Sequence, residues 1–282
     1  MRILLLTALT MIAFAANSIL TRMAIDGQHI DPSGFALVRV ASGALVLGML
    51  ITLRGGGMPL LSRQRIAGAV ALAAYMIGFS MAYLTLDAGL GALILFGVVQ
   101  TAMFAYSALR GASPNRRQAI GAGVAFSGLL VALWPGPDSS GDLAGAFLMV
   151  IAGLGWAAYT IIGRNAEDPL GASAANFLLS LPMLLVLLIT AGLYFTPAGL
   201  ALGMLCGGLT SGLGYALWYS VLPKLDAVTA AIVQLSVPII AIVAGVVVLG
   251  ENLGWPLIVA TVLVVGGIGW AVSAGSVQVD RK

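Results

Sequence analysis

The side chains of this sequence that could do chemistry are aromatic rings and amides, set at helical spacing inside apolar segments. Tyr75, Phe79 and Tyr83 recur at every fourth position, which puts them on one face of a helix. A phenol, an indole or a primary amide in hydrocarbon needs a hydrogen-bond partner, so we expect such groups to face the interior of a helix bundle. The candidate substrate-binding residues are Phe14, Asn17, Tyr75, Phe79, Tyr83, Gln100, Trp156, Tyr159, Tyr215, Trp218 and Gln234.

Some of these residues are open to a structural interpretation. A ring within about one turn of a helix end often belongs to the aromatic belt at the membrane surface, which applies to Tyr83 and to the nearby Tyr219. A buried amide can also join two helices, at on the order of 0.6 kcal/mol per hydrogen bond. Asn17 is open to that interpretation. For Gln100 and Gln234 we favour a cavity, because they fall on matching helices of the two halves described below.

Arg39 is the one charged residue well inside an apolar segment, about two turns from its start. Its side chain could extend outward to pair with Asp31 or Asp26, as long cationic side chains commonly do near helix ends. It could instead face a cavity and bind a substrate carboxylate, since a guanidinium offers a planar pair of donors. The sequence favours the outward orientation, and the carboxylate partner remains the alternative.

Composition indicates the class of protein that must position these residues. The chain is 60% hydrophobic and 8% charged, with a mean hydropathy of +1.07, whereas soluble domains carry roughly 25% charged residues. Runs of about 20 apolar residues predict ten transmembrane helices. They lie near residues 3–21, 33–53, 66–86, 88–109, 118–134, 143–162, 172–193, 199–222, 227–250 and 255–275. The fold class is therefore all-α integral membrane, with no sizeable soluble domain and no reason to expect nucleic-acid binding.

The chain also contains an internal repeat. Residues 14–22 (FAANSILTR) match residues 156–164 (WAAYTIIGR), and residues 32–34 and 87–88 match 169–171 and 226–227 at similar offsets. The repeat predicts two five-helix units, residues 1–138 and 139–282. Five is an odd number, so the second unit enters the membrane from the opposite side, giving inverted-topology repeats around a central cavity near the midplane.

Basic residues predict the orientation of these helices. All but Arg22 and Arg39 of the thirteen Lys and Arg lie on the inner side if the N-terminus is cytoplasmic. Both termini are then cytoplasmic. Pro182 and Pro238 fall inside predicted helices and are candidate hinges, because proline removes a helical hydrogen bond. Glycines in the fifth and tenth helices predict a packing seam, which would also permit a homodimer, although a monomer is sufficient.

Several kinds of site are absent from the sequence. No Asp or Glu falls in the middle of a predicted helix, His29 is the only histidine, and Cys206 is the only cysteine. We therefore expect no metal site, no cofactor, no disulfide and no proton relay through a midplane carboxylate. Transport by such a protein would be passive or weakly coupled.

One stretch of the second half resembles a known family. Residues 227–231 (AVTAA), residues 235–241 (LSVPIIA) and residues 249–251 (LGE) are similar to the signature of the EamA-type drug/metabolite transporters. The first half departs from it, since Val99-Gln100 stands in place of the proline and residues 110–112 (RGA) replace LGE. Within the superfamily the chain is most similar to the YddG-type exporters of aromatic amino acids. The resemblance implies a multi-pass carrier of a bacterial-type inner membrane, working by alternating access.

These observations together predict a function. The chain is expected to export amino acids, mostly aromatic or large neutral ones, with the small-molecule substrate and the lipid bilayer as its partners. An exporter of drugs or other metabolites within the same superfamily is an alternative, although a cationic drug would need a buried carboxylate. A membrane-embedded enzyme is an alternative of another class. It is disfavoured because the sequence lacks clustered Asp, His or Lys near an interface, so we expect no catalysis.

Overall fold

The computed structural model describes residues 2–58, 60, 62–109, 111, 115–132, 143–164, 166–185, 194–225, 230 and 233–273. Several sequence predictions lie outside these residues. They are the boundary at 138/139, the motif residues 227–229 and 231, Arg110, Ala112, Asp226, Arg281 and Lys282.

Apolar helices make up nearly all of the described chain. The first seven are α1 (Arg2–Asp26), α2 (Pro32–Arg54), α3 (Arg63–Ala82), α4 (Ala88–Leu109), α5 (Arg116–Ala132), α6 (Leu143–Gly163) and α7 (Pro169–Leu185). Next, α8 (Pro197–Leu205) continues through a π-helical segment (Cys206–Leu213) into α9 (Gly214–Val221) and a 3-10 turn (Leu222–Lys224). Finally, α10 (Ser236–Ala244) runs into a π-helical turn (Gly245–Leu249), and α11 (Trp255–Ser273) follows.

Six helical stretches of the described residues are long and apolar enough to cross a membrane. They are Arg2–Asp26, Pro32–Arg54, Arg63–Ala82, Ala88–Tyr106, Leu143–Gly163 and Pro197–Lys224. Many large apolar side chains on their outer faces are exposed, among them Leu4, Leu53 and Leu109. A surface of this kind is suited to lipid rather than water. The prediction of an all-helical membrane protein therefore holds for the described chain.

Ion pairs mark the two ends of the bundle. At one end, called the Arg22 end, this side chain pairs with Asp26 at 3.3 Å and with Asp87 at 3.4 Å. At the other, called the Arg54 end, the guanidinium holds both carboxylate oxygens of Asp168, at 3.0 and 2.5 Å. Hydrogen bonds from Arg54 lower the pKa of Asp168 below its usual value. Both partners are partly exposed, so this pair contributes little to stability.

An aspartate precedes the proline that begins α2 and the proline that begins α7. Asp31 accepts from the backbone N–H of Gly34 at 2.8 Å, which caps α2, and also from the backbone N–H of Tyr194 at 3.0 Å. Asp168, before Pro169, likewise receives the backbone N–H of Gly171. The two caps lie at opposite ends of the bundle.

Glu251 connects the end of the second π-helical turn to the start of α4. Gly250 has φ +70°, a left-handed conformation that glycine adopts without strain and that turns the chain back. The carboxylate of Glu251 then accepts from the backbone N–H groups of Ala88 at 2.5 Å and Gly89 at 3.2 Å. These are among the N–H groups that a helix start leaves without partners. Partial burial raises the pKa of Glu251, and the two N–H groups oppose that rise.

Glycines set the closest helix contacts. A Cβ added to Gly121 on α5 would lie 2.8 Å from the backbone N of Ala271 on α11, and one added to Gly267 would lie 2.6 Å from the backbone N of Ala125. The predicted glycine seam therefore joins α5 to α11 within one chain. By contrast, a Cβ on Gly123 or Gly269 would meet nothing within 4 Å.

The π-helical segment approaches α2 through another glycine. A Cβ on Gly207 would overlap the carbonyl oxygen of Arg39 and the hydroxyl of Ser42. Gly43 on α2 faces the same place, where an added Cβ would lie 3.0 Å from the carbonyl oxygen of Gly207. π-helical segments often occur at functional sites. This one places Ser211 beside α2.

The two candidate hinge prolines differ in position. Pro182 lies inside α7, where it removes a backbone hydrogen bond as predicted. Pro238 lies in the first turn of α10, directly after a turn at Leu235, where the N–H groups of a helix have no intrahelical acceptor. The turn at Leu235 separates this helix from the helical residues Val233 and Gln234, and the role of Pro238 as a hinge stays a prediction.

We expect Glu251→Ala to lower the free energy of unfolding by about 1 kcal/mol, because two N–H groups of α4 lose their acceptor. Glu251→Gln retains one acceptor oxygen and should lose less. Chemical unfolding of the purified protein in detergent measures the change. The control is Glu167→Ala, which removes the same charge from an exposed position. If the two Ala variants were equally stable, the capping role of Glu251 would be wrong.

We expect Gly207→Ala to destabilise the fold by about 1–3 kcal/mol, because the new methyl group would push α2 and the π-helical segment apart. The control is the adjacent Gly208→Ala, whose Cβ would meet the side chain of Val46 at 3.1 Å and no backbone atom closer than 4.0 Å. It should leave stability unchanged or slightly higher. Thermal unfolding of both variants measures the difference, and equal midpoints would refute the close approach.

Candidate functional site

A buried arginine lies at the centre of the bundle. Arg39 on α2 has no exposed surface. Its Nε donates to the hydroxyl of Ser211 at 2.8 Å, and its Nη2 donates to the hydroxyls of Tyr75 and Tyr215 at 3.0 and 2.9 Å. The guanidinium also lies 4.8 Å from the centroid of the Phe79 ring, a cation–π contact. Groups on α3, the π-helical segment and α9 therefore hold it.

The hydrogen-bond partners of Arg39 among the described residues are all neutral. The ion pairs of the described chain lie at the two ends of the bundle, and none includes Arg39. Its Nη1 is buried and donates to no group. Buried charges are normally paired with an opposite charge. The centre of the bundle therefore carries a positive charge with an open donor.

This geometry corrects the outward orientation favoured by the sequence. Arg39 does not reach Asp31 or Asp26, which instead cap α2 and pair with Arg22. The physical reason is that the hydroxyls of Tyr75, Tyr215 and Ser211 supply the acceptors that water or a carboxylate would supply outside. The structure shows the other orientation, in which the Arg39 side chain faces the interior of the bundle.

Aromatic rings from four helices meet beside this arginine. The ring centroid of Trp156 lies 4.6 Å from that of Tyr215, 5.1 Å from that of Tyr75 and 5.3 Å from that of Phe14. The Phe79 ring lies 5.2 Å from Tyr75. Such separations are typical of packed aromatic pairs. The tertiary structure therefore brings together five of the predicted residues.

These rings line a small enclosed cavity. The free volume accessible to the centre of a water molecule is about 10 Å³, enough for about one water. An amino acid does not fit unless the rings move apart. The lining residues are Phe14, Asn17, Tyr75, Phe79, Leu95, Phe96, Trp156 and Tyr215. The cavity lies midway along α1, α3, α4 and α6, which is where a carrier is expected to bind its substrate.

Asn17 both lines the cavity and joins two helices. Its Oδ1 accepts from the hydroxyls of Thr210 at 2.6 Å and Ser211 at 3.0 Å and is within 3.3 Å of the thiol sulfur of Cys206. Ser211 in turn accepts from Arg39. A continuous chain of hydrogen bonds therefore runs from the guanidinium to α1, which fixes the rotamers at the cavity wall.

The two rings that could have belonged to a lipid-facing belt do not. Tyr83 is fully buried and its hydroxyl donates to the carbonyl of Ala88 at 3.4 Å. Tyr219 is 1% exposed and donates to the carbonyl of Tyr159 at 2.8 Å. The belt interpretation is therefore wrong for both, because each ring has a protein partner inside the bundle.

The remaining predicted residues are buried but do not line the cavity. The Tyr159 ring stacks on Trp156 at 5.5 Å, and the Trp218 ring lies 5.9 Å from Phe14. Gln100 and Gln234 are both buried, and Gln234 donates to the carbonyl of Ala230 at 3.3 Å. A direct substrate contact for these four residues stays a prediction.

Several contacts at this centre were not predicted. Leu95 lines the cavity, the Phe177 ring lies 5.8 Å from Tyr215, and Thr210 and Cys206 bind Asn17. The one sequence signal was the run CGGLTSG at 206–212, whose small and hydroxyl residues fit a close helix contact. Among the described residues, no three His, Cys, Asp or Glu are grouped to hold a metal ion.

Known proteins similar to this chain are transporters or uncharacterized. Residues 143–273 match the EamA-like transporter family. An uncharacterized protein of Pseudomonas aeruginosa is 47% identical over 95% of this chain and 93% of its own length. An uncharacterized transporter of Archaeoglobus fulgidus is 23% identical over 94% and 95% of the two chains, and one of Clostridium kluyveri is 24% identical over 92% and 89%.

A solved crystal structure has a similar fold. It superposes with a TM-score of 0.65 over 94% of this chain and 98% of its own, at 16% sequence identity. A likeness at this identity shows a similar fold and nothing about function. The apolar helices, the buried central site and the matched family and relatives agree on a membrane transporter rather than an enzyme. The likeness to the EamA-like transporter family covers residues 143–273, the second half of the chain.

Proposed function

We propose that this chain is an alternating-access exporter of amino acids, or of closely related small metabolites, in a bacterial-type inner membrane. Ten transmembrane helices form two inverted five-helix repeats in this proposal, with both termini in the cytoplasm. The Arg54 end is then cytoplasmic, and the Arg22 end faces outward. The substrate binds at the aromatic cavity beside Arg39, where the two repeats meet.

Support for the inverted repeats comes from which helices pack together. In the predicted repeat, α2 corresponds to α7, α4 to α10 and α5 to α11, and each of these pairs is in contact. The contact of α3 with α6 has its counterpart in the contacts of α1 with α8, the π-helical segment and α9. The equivalent caps Asp31 and Asp168 lie at opposite ends. Each pattern is expected for two units related by an axis in the membrane plane.

The observation that carries the substrate proposal is Arg39. A buried guanidinium with neutral partners and an Nη1 that has no partner among the described residues can bind a carboxylate through the N–H groups of Nη1, in the plane of the guanidinium. The adjacent rings of Phe14, Phe79 and Trp156 suit an apolar or aromatic body. A cationic drug is disfavoured, since Arg39 would repel it. An embedded enzyme is disfavoured because the lining carries no acid, base or nucleophile arranged for catalysis.

Alternating access also fits the dimensions of the cavity. The cavity has room for about one water and every residue that lines it is buried, so a substrate must enter from a state in which the rings have separated. The turn at Leu235 and the proline in α7 are places where helices can bend during that change. Pro182 and Pro238 remain candidate hinges in this sense.

We expect purified protein in liposomes to exchange labelled phenylalanine or tryptophan in a counterflow assay. Arg39→Gln should reduce the exchange rate at least about tenfold, because a charge-assisted hydrogen bond to the carboxylate contributes about 1.5–3 kcal/mol. Arg117→Gln is the matched control, since it removes the same charge from an exposed position on α5. If phenylalanine, tryptophan and threonine all failed to exchange, the amino-acid proposal would be wrong.

We expect Trp156→Phe to lower the exchange rate while the protein remains folded, because the ring is kept and the indole N–H is lost. That Nε1 is buried and donates to no group in the part of the chain that the structure describes. The thermal midpoint measures folding, and counterflow measures exchange. Leu154→Phe, at an exposed position on the same helix, is the control. Unchanged exchange in Trp156→Phe would exclude the indole N–H as a substrate contact.

A further inference from the structure

Two buried polar atoms, one in the wall of the central cavity and one directly behind it, are hydrogen-bond donors without a partner among the described residues. They are Nε1 of Trp156 in the wall and Nη1 of Arg39 behind it. Trp156 lines the cavity, and Arg39 contacts Tyr75, Phe79 and Tyr215 of its wall. A buried donor without an acceptor is costly, so the site is prepared for a ligand that supplies acceptors.

The acceptors at the same wall are already in use. Oδ1 of Asn17 accepts from Thr210 and Ser211. The Tyr75 hydroxyl oxygen accepts from both Arg39 and Tyr215, at 3.0 Å each, which leaves its own hydrogen as a further donor. The unused amide oxygen of Gln234 is not part of this wall. An ammonium group would therefore find ring faces and at most the second lone pair of the Tyr215 hydroxyl, which already accepts from Arg39, close to a guanidinium of like charge.

The sequence supplies no acid that could balance this charge. All ten Asp and Glu lie at the ends of the helices predicted from the sequence or between them. Arg39 therefore stays positive without a counter-ion inside the bundle. A carboxylate with no ammonium makes the loaded site neutral, whereas a zwitterion leaves it positive and adds a repulsive contact.

We infer that the cavity selects substrates of net negative charge: small carboxylates with an aromatic or apolar body that lack the α-ammonium group. This inference rests on the proposed function: it keeps the carboxylate site at Arg39 and moves the preferred substrate from amino acids to the related carboxylates without an ammonium group. It has an energetic consequence. Arg39 stays with the protein, so the charge that crosses the membrane is the charge of the substrate. Export of an anion is then driven by a membrane potential that is negative inside, with no need for a midplane carboxylate.

Three compounds that share the same phenyl ring and the same carbon chain, but differ in charge, test this inference. They are 3-phenyllactate, phenylalanine and phenylalaninol, with net charges of about −1, 0 and +1 at pH 7. We expect counterflow of phenyllactate to be at least about tenfold faster than that of phenylalanine, and phenylalaninol not to exchange, because only the first leaves the loaded site neutral. Arg39→Lys should keep this order at lower rates, and Arg39→Gln should abolish the preference for phenyllactate.

A potassium diffusion potential across the liposome membrane supplies a second readout that does not depend on any variant. A negative-inside potential should speed efflux of phenyllactate and leave phenylalanine efflux unchanged, with a limiting distribution ratio of about 50 per 100 mV for one charge. Exchange of phenylalanine without phenyllactate would overturn the inference and leave the proposed amino-acid export standing. Exchange of neither would overturn both. Phenyllactate efflux that ignores the potential would also contradict the inference.

Discussion

Burial of a guanidinium without a carboxylate is the constraint on which the centre of this protein depends. A charge taken out of water must be met by groups that replace its hydration, and Arg39 obtains them from three hydroxyls and a ring face. Those hydroxyls come from α3, the π-helical segment and α9, so the helices must sit at fixed heights relative to α2. Ser211 also donates a hydrogen bond to Asn17, so the position of α1 is fixed relative to the same arginine. The positions of four helical elements around the cavity therefore follow from one side chain.

Glycine makes this arrangement sterically accessible. Gly207 and Gly43 let α2 and the π-helical segment approach until backbone meets backbone, and only at that distance does Ser211 reach the guanidinium. The α5–α11 seam uses glycine in the same way at a distance from the cavity. Helices in lipid gain little from the hydrophobic effect on association, so close packing of this kind carries much of the stability. Aromatic side chains then fill the interior space that the small residues leave open at the centre.

Much of the candidate site was predictable from residue type and spacing. Phe14, Tyr75, Phe79, Trp156 and Tyr215 were expected to face one interior, and they do, because aromatic residues at helical spacing in an apolar chain share a face. The predictions failed for side chains that had two physically reasonable orientations. Arg39 lies near enough to a helix end to extend outward, and the choice depended on hydroxyls about 36 and 172 residues away along the chain. The belt interpretation of Tyr83 and Tyr219 failed for the same reason, since their partners are carbonyl groups inside the bundle.

The amino-acid sequence by itself determined the class of the molecule, the approximate positions of most of the described helices, and the absence of an acid in the middle of any predicted helix. These properties depend on local composition, which a linear chain displays directly. Only the tertiary structure decided that Arg39 points inward, that Asn17 has its acceptor oxygen occupied, and that the unpartnered groups at the cavity wall are donors. The reason is that a hydrogen bond depends on which donor and acceptor meet. A helix of a bundle can pack in different rotations about its axis, so only the packing of the folded chain determines which donors and acceptors are close enough to bond.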